Sequence, residues 1–345
     1  MKQARASPES EQRTKALGTG RLKRAAWRSA LALVSVALTG TFAADLAVAQ
    51  DFPSKTIRII VPYPPGAITD TTGRMIAADL SKVIGQTVIV ENRGGGGTVV
   101  GTQAAKTAPA DGYTILYQLN ALATNVYSLK NPGYALSDFK PVAMFGEAAF
   151  VVVSSQQAKF KTMQELIAWG KANPGKLNLS ATGDGAQAVI SNRLKQATGV
   201  DWTQINYRGG AESVQAVMAG DVDFSLPTQS APLIYANPDK LKILAITSKK
   251  RLDSLPDVPT FAELGYAIDE KTWFGLFVRS ETPPEAYEKL KSALAQVFNA
   301  PSMKEQLSKL RVSPYEGKLE DVPARLQQEL DEFSKEAKKL GLEPQ

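Results

Sequence analysis

Apolar residues at Ile57, Ile59, Ile60 and Val61, interrupted only by Arg58, predict a short buried strand. The turn Pro62-Tyr63-Pro64-Pro65-Gly66 ends it, since proline cannot donate to a ladder and glycine admits unusual backbone angles. Ile76, Leu80, Val83 and Ile84 then recur at helical spacing, so a helix begins near residues 69–72. The same plan of strand, tight loop and helix recurs downstream. Residues 87–90 and 113–117 read as strands on either side of a helix over 98–107. Two more strands fall around Met144-Phe145 and over 150–153. A helix opens with the capping box Thr162-x-x-Glu165 and stops at Asn173-Pro174-Gly175. Strand 177–180 leads through Ala181-Thr182-Gly183-Asp184-Gly185 into a helix over 186–197. Strand 205–207 leads through Arg208-Gly209-Gly210 into a helix through Val214, Val217 and Met218. Strands at 222–226, 242–247 and 273–278 follow, and helices over 283–299, 301–310 and 319–340 finish the chain. This alternation predicts α/β architecture, with parallel sheets flanked by helices.

A strand-to-helix junction leaves free backbone N–H groups and the positive end of the helix dipole above the strand, a ready seat for a small anion. Most such junctions in α/β proteins bind nothing, so the pattern alone does not assign a site. The run Gly94 to Gly97 fits no G-x-G-x-x-G, because the third position falls on Val99 or Val100, and no G-x-x-x-x-G-K-[ST] occurs. A close backbone approach at a turn is the better reading of these glycines, and Arg93 beside them reads as a solvated charge.

Residues 1–28 are polar and basic, an apolar run covers 30–38, and Ala47-Val48-Ala49 precedes Gln50. That order is the pattern of a cleavable secretory signal peptide over residues 1–49, and the run is too short to span a bilayer. Residues 1–49 carry 8 of the 40 basic and 3 of the 34 acidic side chains, so the rest of the chain is near neutral, at about +1. The basic isoelectric point therefore belongs to the leader and gives no case for a nucleic-acid partner or an anionic membrane. With no cysteine and no histidine, disulfides, thiol nucleophiles, imidazole metal sites and histidine-based triads are excluded. No metal, cofactor or catalytic residue is expected. One Ser-x-x-Lys, Ser137 to Lys140, lies in an Asn-Pro-Gly-rich connection without companion motifs.

Val61 to Asp70, Val90-Glu91-Asn92-Arg93 before the glycines, and Ala110-Asp111-Gly112-Tyr113-Thr114 resemble the solute-binding receptors of tripartite tricarboxylate transporters, the Bug-type proteins. So do Ala172-Asn173-Pro174-Gly175-Lys176, Tyr207-Arg208-Gly209-Gly210, Leu255 to Thr260 and Trp273-Phe274-Gly275-Leu276. The resemblance implies a type II-like periplasmic-binding-protein fold whose lobes comprise 51–150 with 275–345, and 151–274. It implies a cleft that closes on a carboxylate about crossings near 148–152 and 271–275. The ligand would be held by Gly66, Ala67, Ile68 and Thr69 from one lobe and by Gly183, Asp184, Gly185, Ala186 and Gln187 from the other. Asn120 and Gln229 are candidate polar contacts, Tyr63 and Trp273 candidate walls, and Tyr207 sits at a third junction. Three departures stand out: Ala67 replaces a usual glycine, Asp184 brings a negative charge, and Pro227 falls where amino-acid-binding members place an Asp. The implied role is a monomeric, periplasmic, non-enzymatic receptor that delivers its ligand to membrane permease subunits. A ligand sensor feeding a membrane kinase and a hydrolase are the alternative readings.

Overall fold

The computed structural model describes residues 52–182, 185–207, 209–231, 234 and 237–339; the leader expected over residues 1–49 lies outside them. Two five-stranded sheets organise the described chain. The first has the order β2 (Val88–Asn92), β1 (Ile57–Val61), β3 (Thr114–Gln118), β10 (Lys271–Arg279), β4 (Phe139–Ala149). β1 runs parallel to β2 and β3, whereas β10 is antiparallel to both of its neighbours. Ile57, Ile59 and Val61 point into one core with Ile76 and Leu80 of α1 (Ile68–Ile84), Leu290 and Leu294 of α7 (Pro284–Asn299) and Met303 of α8 (Pro301–Lys309). Ile60 points the other way, into a second core with Ala105 of α2 (Val99–Thr107), Leu122 of α3 (Ala121–Ser128), and Val322 and Leu326 of α9 (Val322–Lys339). A strand covered on both faces has to be apolar at successive positions, which explains the run that opens the pattern. Arg58 escapes toward the edge, where it meets Thr114 and Glu91.

The second sheet has the order β7 (Trp202–Asn206), β6 (Leu177–Ala181), β8 (Phe224–Ser225), β5 (Val151–Ser155), β9 (Leu241–Ile246). Here β5 is the antiparallel strand. One face packs on α4 (Met163–Ala172) and α5 (Gly185–Thr198) through Leu166, Ile167, Ile190 and Leu194. The other packs on α6 (Gly210–Ala219) through Val214 and Val217. The two sheets share one design, since the fourth strand in each order is the one contributed by the segment that has just crossed from the other sheet. The sheets are therefore mixed, not purely parallel as strand–helix alternation alone suggests. The whole of β10, from Lys271, belongs to the first sheet.

The two crossings are bolted side by side. The Phe150 N–H donates to Thr247 Oγ1 at 2.9 Å, the Thr247 N–H to the Phe150 carbonyl at 3.0 Å, and the Thr247 hydroxyl to the Glu270 carbonyl at 2.5 Å. Beside them, Glu147 and Ser313 exchange backbone hydrogen bonds of 2.8 and 2.9 Å. α9 lies along this junction: Arg193 of α5 pairs with Glu270 and sits 5.9 Å from the Phe333 ring of α9. No helix among the described residues is long and apolar enough to cross a membrane.

Candidate functional site

A cleft of about 880 Å3 opens where the carboxyl ends of the parallel strands of both sheets converge. It is lined by Pro62 after β1, Gly94 to Thr98 after β2, Leu119 and Asn120 after β3, Thr182 after β6, Asn206 and Tyr207 at the end of β7, and Pro227 and Thr228 after β8. Open α/β sheets put their ligands at such strand ends because loops and helix N-termini collect there. The N-terminal turns of α1, α3 and α6 reach it through Ile68, Ala121 and Gly210. Among the described lining residues none carries a charge, and helix N-terminal backbone contributes to the lining.

The loop before α1 lines the cleft with its backbone. Gly66 has φ 82°, a left-handed value that calls for glycine. Ala67, the N-cap, has φ −67° and ψ 161° and makes no side-chain cap. Those angles suit any L-residue, so alanine in place of the usual glycine costs no strain here. The first helical bonds run from the Asp70 and Thr71 N–H groups to the Ala67 carbonyl, both 3.0 Å. The N–H groups of Ile68 and Thr69 thus fall in the part of a helix with no intrahelical acceptor. Thr69 is a lining residue of the cleft; it is 1 % exposed, and its buried hydroxyl has no hydrogen-bond partner among the described residues. A buried hydroxyl left unpaired costs about 1–3 kcal/mol, so it is a group waiting for a partner.

Asp70 holds this loop from behind. Its Oδ2 accepts from the Gly66 N–H at 2.9 Å and its Oδ1 lies 2.9 Å from Arg74. Burial pushes its pKa up, but the hydrogen bonds from Gly66, Arg74 and Asn92 and the Arg74 charge outweigh that and hold it below the usual aspartate range. In the opposite lobe Gln187 does the same without charge: its Oε1 accepts from the Thr182 N–H at 2.7 Å and its amide nitrogen donates to the Leu226 carbonyl at 3.2 Å. Gly185 and Ala186 open α5, whereas Gly183 and Asp184 lie outside the described residues, as does Arg208.

The glycine run lines the cleft as a left-handed turn, with φ of 127°, 55° and 59° at Gly95, Gly96 and Gly97 and 83° at Thr98. A β-branched residue at that φ is strained, by about 1–3 kcal/mol. A buried network holds it in place. Gln118 donates to Thr98 Oγ1 (3.0 Å) and Thr102 Oγ1 (2.9 Å), Asn125 donates to the Gly97 carbonyl (2.6 Å), and Tyr63, a cleft residue, donates to Gln118 Oε1 (3.0 Å).

Asn120 also lines the cleft. Its Oδ1 accepts from Thr272 Oγ1 at 2.7 Å and from the Trp273 N–H at 3.0 Å, and its Nδ2 faces Glu329 Oε2 at 3.5 Å. Glu329 on α9 further accepts from the Trp273 indole at 3.1 and 3.2 Å and from Arg325 at 3.3 Å. Arg325 bridges onward to the buried Glu147 at 3.2 Å. Burial pushes the Glu329 carboxyl up against the opposing pull of Trp273 and Arg325.

Of the residues that the sequence singles out, Tyr63, Gly66, Ala67, Ile68, Thr69, Asn120, Gln187 and Tyr207 meet in this cleft. Trp273 and Gln229 do not line it. Trp273 is 0 % exposed and packs with Ile60, Leu116 and Phe277; its neighbour Thr272, on the opposite side of β10, reaches the cleft instead. Gln229 is 2 % exposed and staples the first crossing, its Oε1 accepting from Ala149 N–H at 3.2 Å and its amide donating to the Arg311 carbonyl at 2.9 Å; Pro227 and Thr228 face the cleft. The Lys140 ammonium bonds the Thr282 carbonyl at 2.9 Å and stacks on Tyr287, so it makes no Ser–Lys dyad with Ser137. Helix α3, which begins directly after Asn120 without a side-chain cap from it, is absent from the periodicity reading, as are Thr98, Leu119 and Thr272 as cleft residues. The dipeptide Asn120-Ala121, a capping residue before helix formers, is the one signal that could have marked them.

Two sheets joined by paired crossings, with helix N-termini from both sides facing one cleft whose described lining carries no charge, define a two-lobed solute-binding protein. Residues 72–342 match the model of the tripartite tricarboxylate transporter family receptor. The chain belongs to that family. BugT of Bordetella pertussis is 34 % identical over 260 residues, 74 % of this chain and 80 % of BugT. The solved periplasmic binding protein BugD superposes with a TM-score of 0.79 at 28 % identity, over 85 % of this chain and all of BugD. The R. palustris protein Rpa4515, solved with adipate, gives 0.80 at 26 % identity over 86 % of this chain and 100 % of its own.

Proposed function

We propose that this protein is a periplasmic receptor that captures a small carboxylate between its lobes and delivers it to the membrane permease subunits of a tripartite tricarboxylate-type transporter. The observation that carries the reading is the Thr69 hydroxyl, buried and unpaired beside the free N–H groups at the start of α1. Together they offer three convergent donors in a cleft whose described lining has no charge of its own. A carboxylate supplies acceptors for all three and gains the helix dipole, and charge-assisted bonds are the strong ones. The adipate held by the Rpa4515 neighbour supports the ligand class. The signal pattern ending at Ala49 supports export, and the family supports the permease partner. Pro227 in the lining brings no carboxylate side chain for an ammonium group, which favours simple carboxylates over amino acids. The receptor acts as a monomer and performs no covalent step; ligand affinity drives closure of the lobes about residues 149–151 and 247–271.

A thermal-shift screen over di- and tricarboxylates, aromatic acids and amino acids tests this. A ligand present at about 100 times its Kd stabilises the folded state by ~2.7 kcal/mol, a readily measured shift. At least one carboxylate, and no amino acid, is expected to raise the melting temperature. A panel in which only amino acids or uncharged solutes do so contradicts the reading.

A further inference from the structure

Asn120 can face the cleft in two ways, and its surroundings decide between them. The Trp273 backbone N–H, 3.0 Å away, is a donor that cannot accept, so the amide oxygen has to be the atom that meets it. The same oxygen takes the Thr272 hydroxyl at 2.7 Å, which uses its second lone pair. The oxygen is thus fully engaged on β10, and the amide nitrogen is the end with hydrogens to spare. Glu329 stands 3.5 Å from that nitrogen. It is itself clamped by the Trp273 indole and by Arg325, which is in turn tied to Glu147. A side chain held at both ends by partners of opposite character cannot flip.

We propose that Glu329, which does not line the cleft, is a positioning residue for the bound carboxylate: from the C-terminal helix it holds the Asn120 amide so that the cleft meets an N–H donor and never the carbonyl oxygen. The assignment rests on the carboxylate-receptor reading and adds a fourth donor, from a different strand end, to those at the start of α1. It also gives the buried carboxylate a role. Burial disfavours its ionised form, so Glu329 costs stability that a neutral residue would not. Groups kept at such a cost are commonly functional. A flipped Asn120 would set a carbonyl against the ligand's negative charge, turning an attraction into a repulsion. Since α9 carries Glu329 and also meets the opposite lobe at Arg193, the donor is best held when the helix is seated.

The test is a double-mutant cycle read by titration calorimetry at 25 °C, with adipate as probe or, where adipate does not bind the wild type, the tightest carboxylate of the screen. Asn120→Ala is expected to weaken binding about tenfold, the worth of one charge-assisted hydrogen bond. Glu329→Ala is expected to weaken it roughly threefold to tenfold, with Glu329→Gln in between, because glutamine keeps one acceptor for Asn120. The double variant should bind no more weakly than Asn120→Ala alone, since Glu329 acts through Asn120. A merely structural role predicts losses that multiply, and that result, or wild-type affinity in Glu329→Ala, overturns the assignment. If Asn120→Ala does not fold, Asn120→Ser closes the same cycle, because it removes the amide donor without setting a new charge beside Glu329. A wild type that binds no carboxylate contradicts the receptor reading and this assignment with it; a wild type that binds, with multiplying losses, contradicts the assignment alone.

Discussion

Replacing Thr69 by valine separates a binding role from a structural one because the two roles predict opposite signs. The side chain is 1 % exposed and its hydroxyl has no partner among the described residues, so it stands as an unsatisfied buried polar group. Valine keeps the β-branched shape and removes that group. Relief of even half the usual penalty stabilises the free protein by about 1 kcal/mol, and the helix propensities of the two residues differ little. For a chain of this size the melting temperature then rises by about 1–2 °C. Binding moves the other way. A hydroxyl donating to a carboxylate is worth about 1.5–3 kcal/mol, so Thr69→Val should weaken the carboxylate by roughly 10- to 150-fold. Thr69→Ser, which keeps the hydroxyl, should bind within a few-fold of the wild type. Scanning calorimetry of the free proteins and titration of a carboxylate into each give both numbers. A valine variant that binds normally, or that is less stable than the wild type, refutes the reasoning.

Three further outcomes follow from the same geometry. Asp70 has its pKa lowered in the fold, so the stability it contributes is present above the ordinary aspartate range and is lost as pH falls through its lower native value. Asp70→Asn should therefore melt below the wild type at pH 7 and converge with it below about pH 4 in a pH series of melting curves. A Cβ on Gly209 would lie 2.9 Å from Pro64 Cγ of the opposite lobe. Gly209→Ala should thus favour the open form, with weaker carboxylate binding and a larger radius of gyration by small-angle scattering. N-terminal sequencing of exported protein should begin at or near Gln50, and material that still carries Met1 would contradict the signal assignment.

Much of the fold is legible in the amino-acid sequence. The strand at Ile57 to Val61, its proline-rich turn and the helix after it stand where the apolar spacing puts them, because covered strands and amphipathic helices leave strong periodic signals. Local pattern carries no information about which segment pairs with which, so it does not reveal the exchange of β5 and β10 between the sheets. The same limit explains Trp273 and Gln229. The chemistry of each suits a binding site, but strand and loop register turns the neighbouring Thr272 and Thr228 to the cleft, and a one-residue slip exchanges the two faces. The glycines at 94–97 announce a backbone feature, though not that the left-handed turn runs into Thr98 and needs Gln118 and Asn125 to hold it. The Glu329–Asn120 contact joins residues far apart in the chain, and the burial of the Thr69 hydroxyl depends on what packs round it, so only the folded structure shows either.

Under the proposed function the cleft recognises a carboxylate through helix N-termini and the Thr69 hydroxyl. The direct measurement is a paired titration: each carboxylate that raises the melting temperature is titrated beside its carboxamide, equal in shape but uncharged. Loss of two charge-assisted bonds at about 1.5–3 kcal/mol each predicts that the amide binds at least 100-fold more weakly. An amide that binds as tightly as its acid would contradict the account.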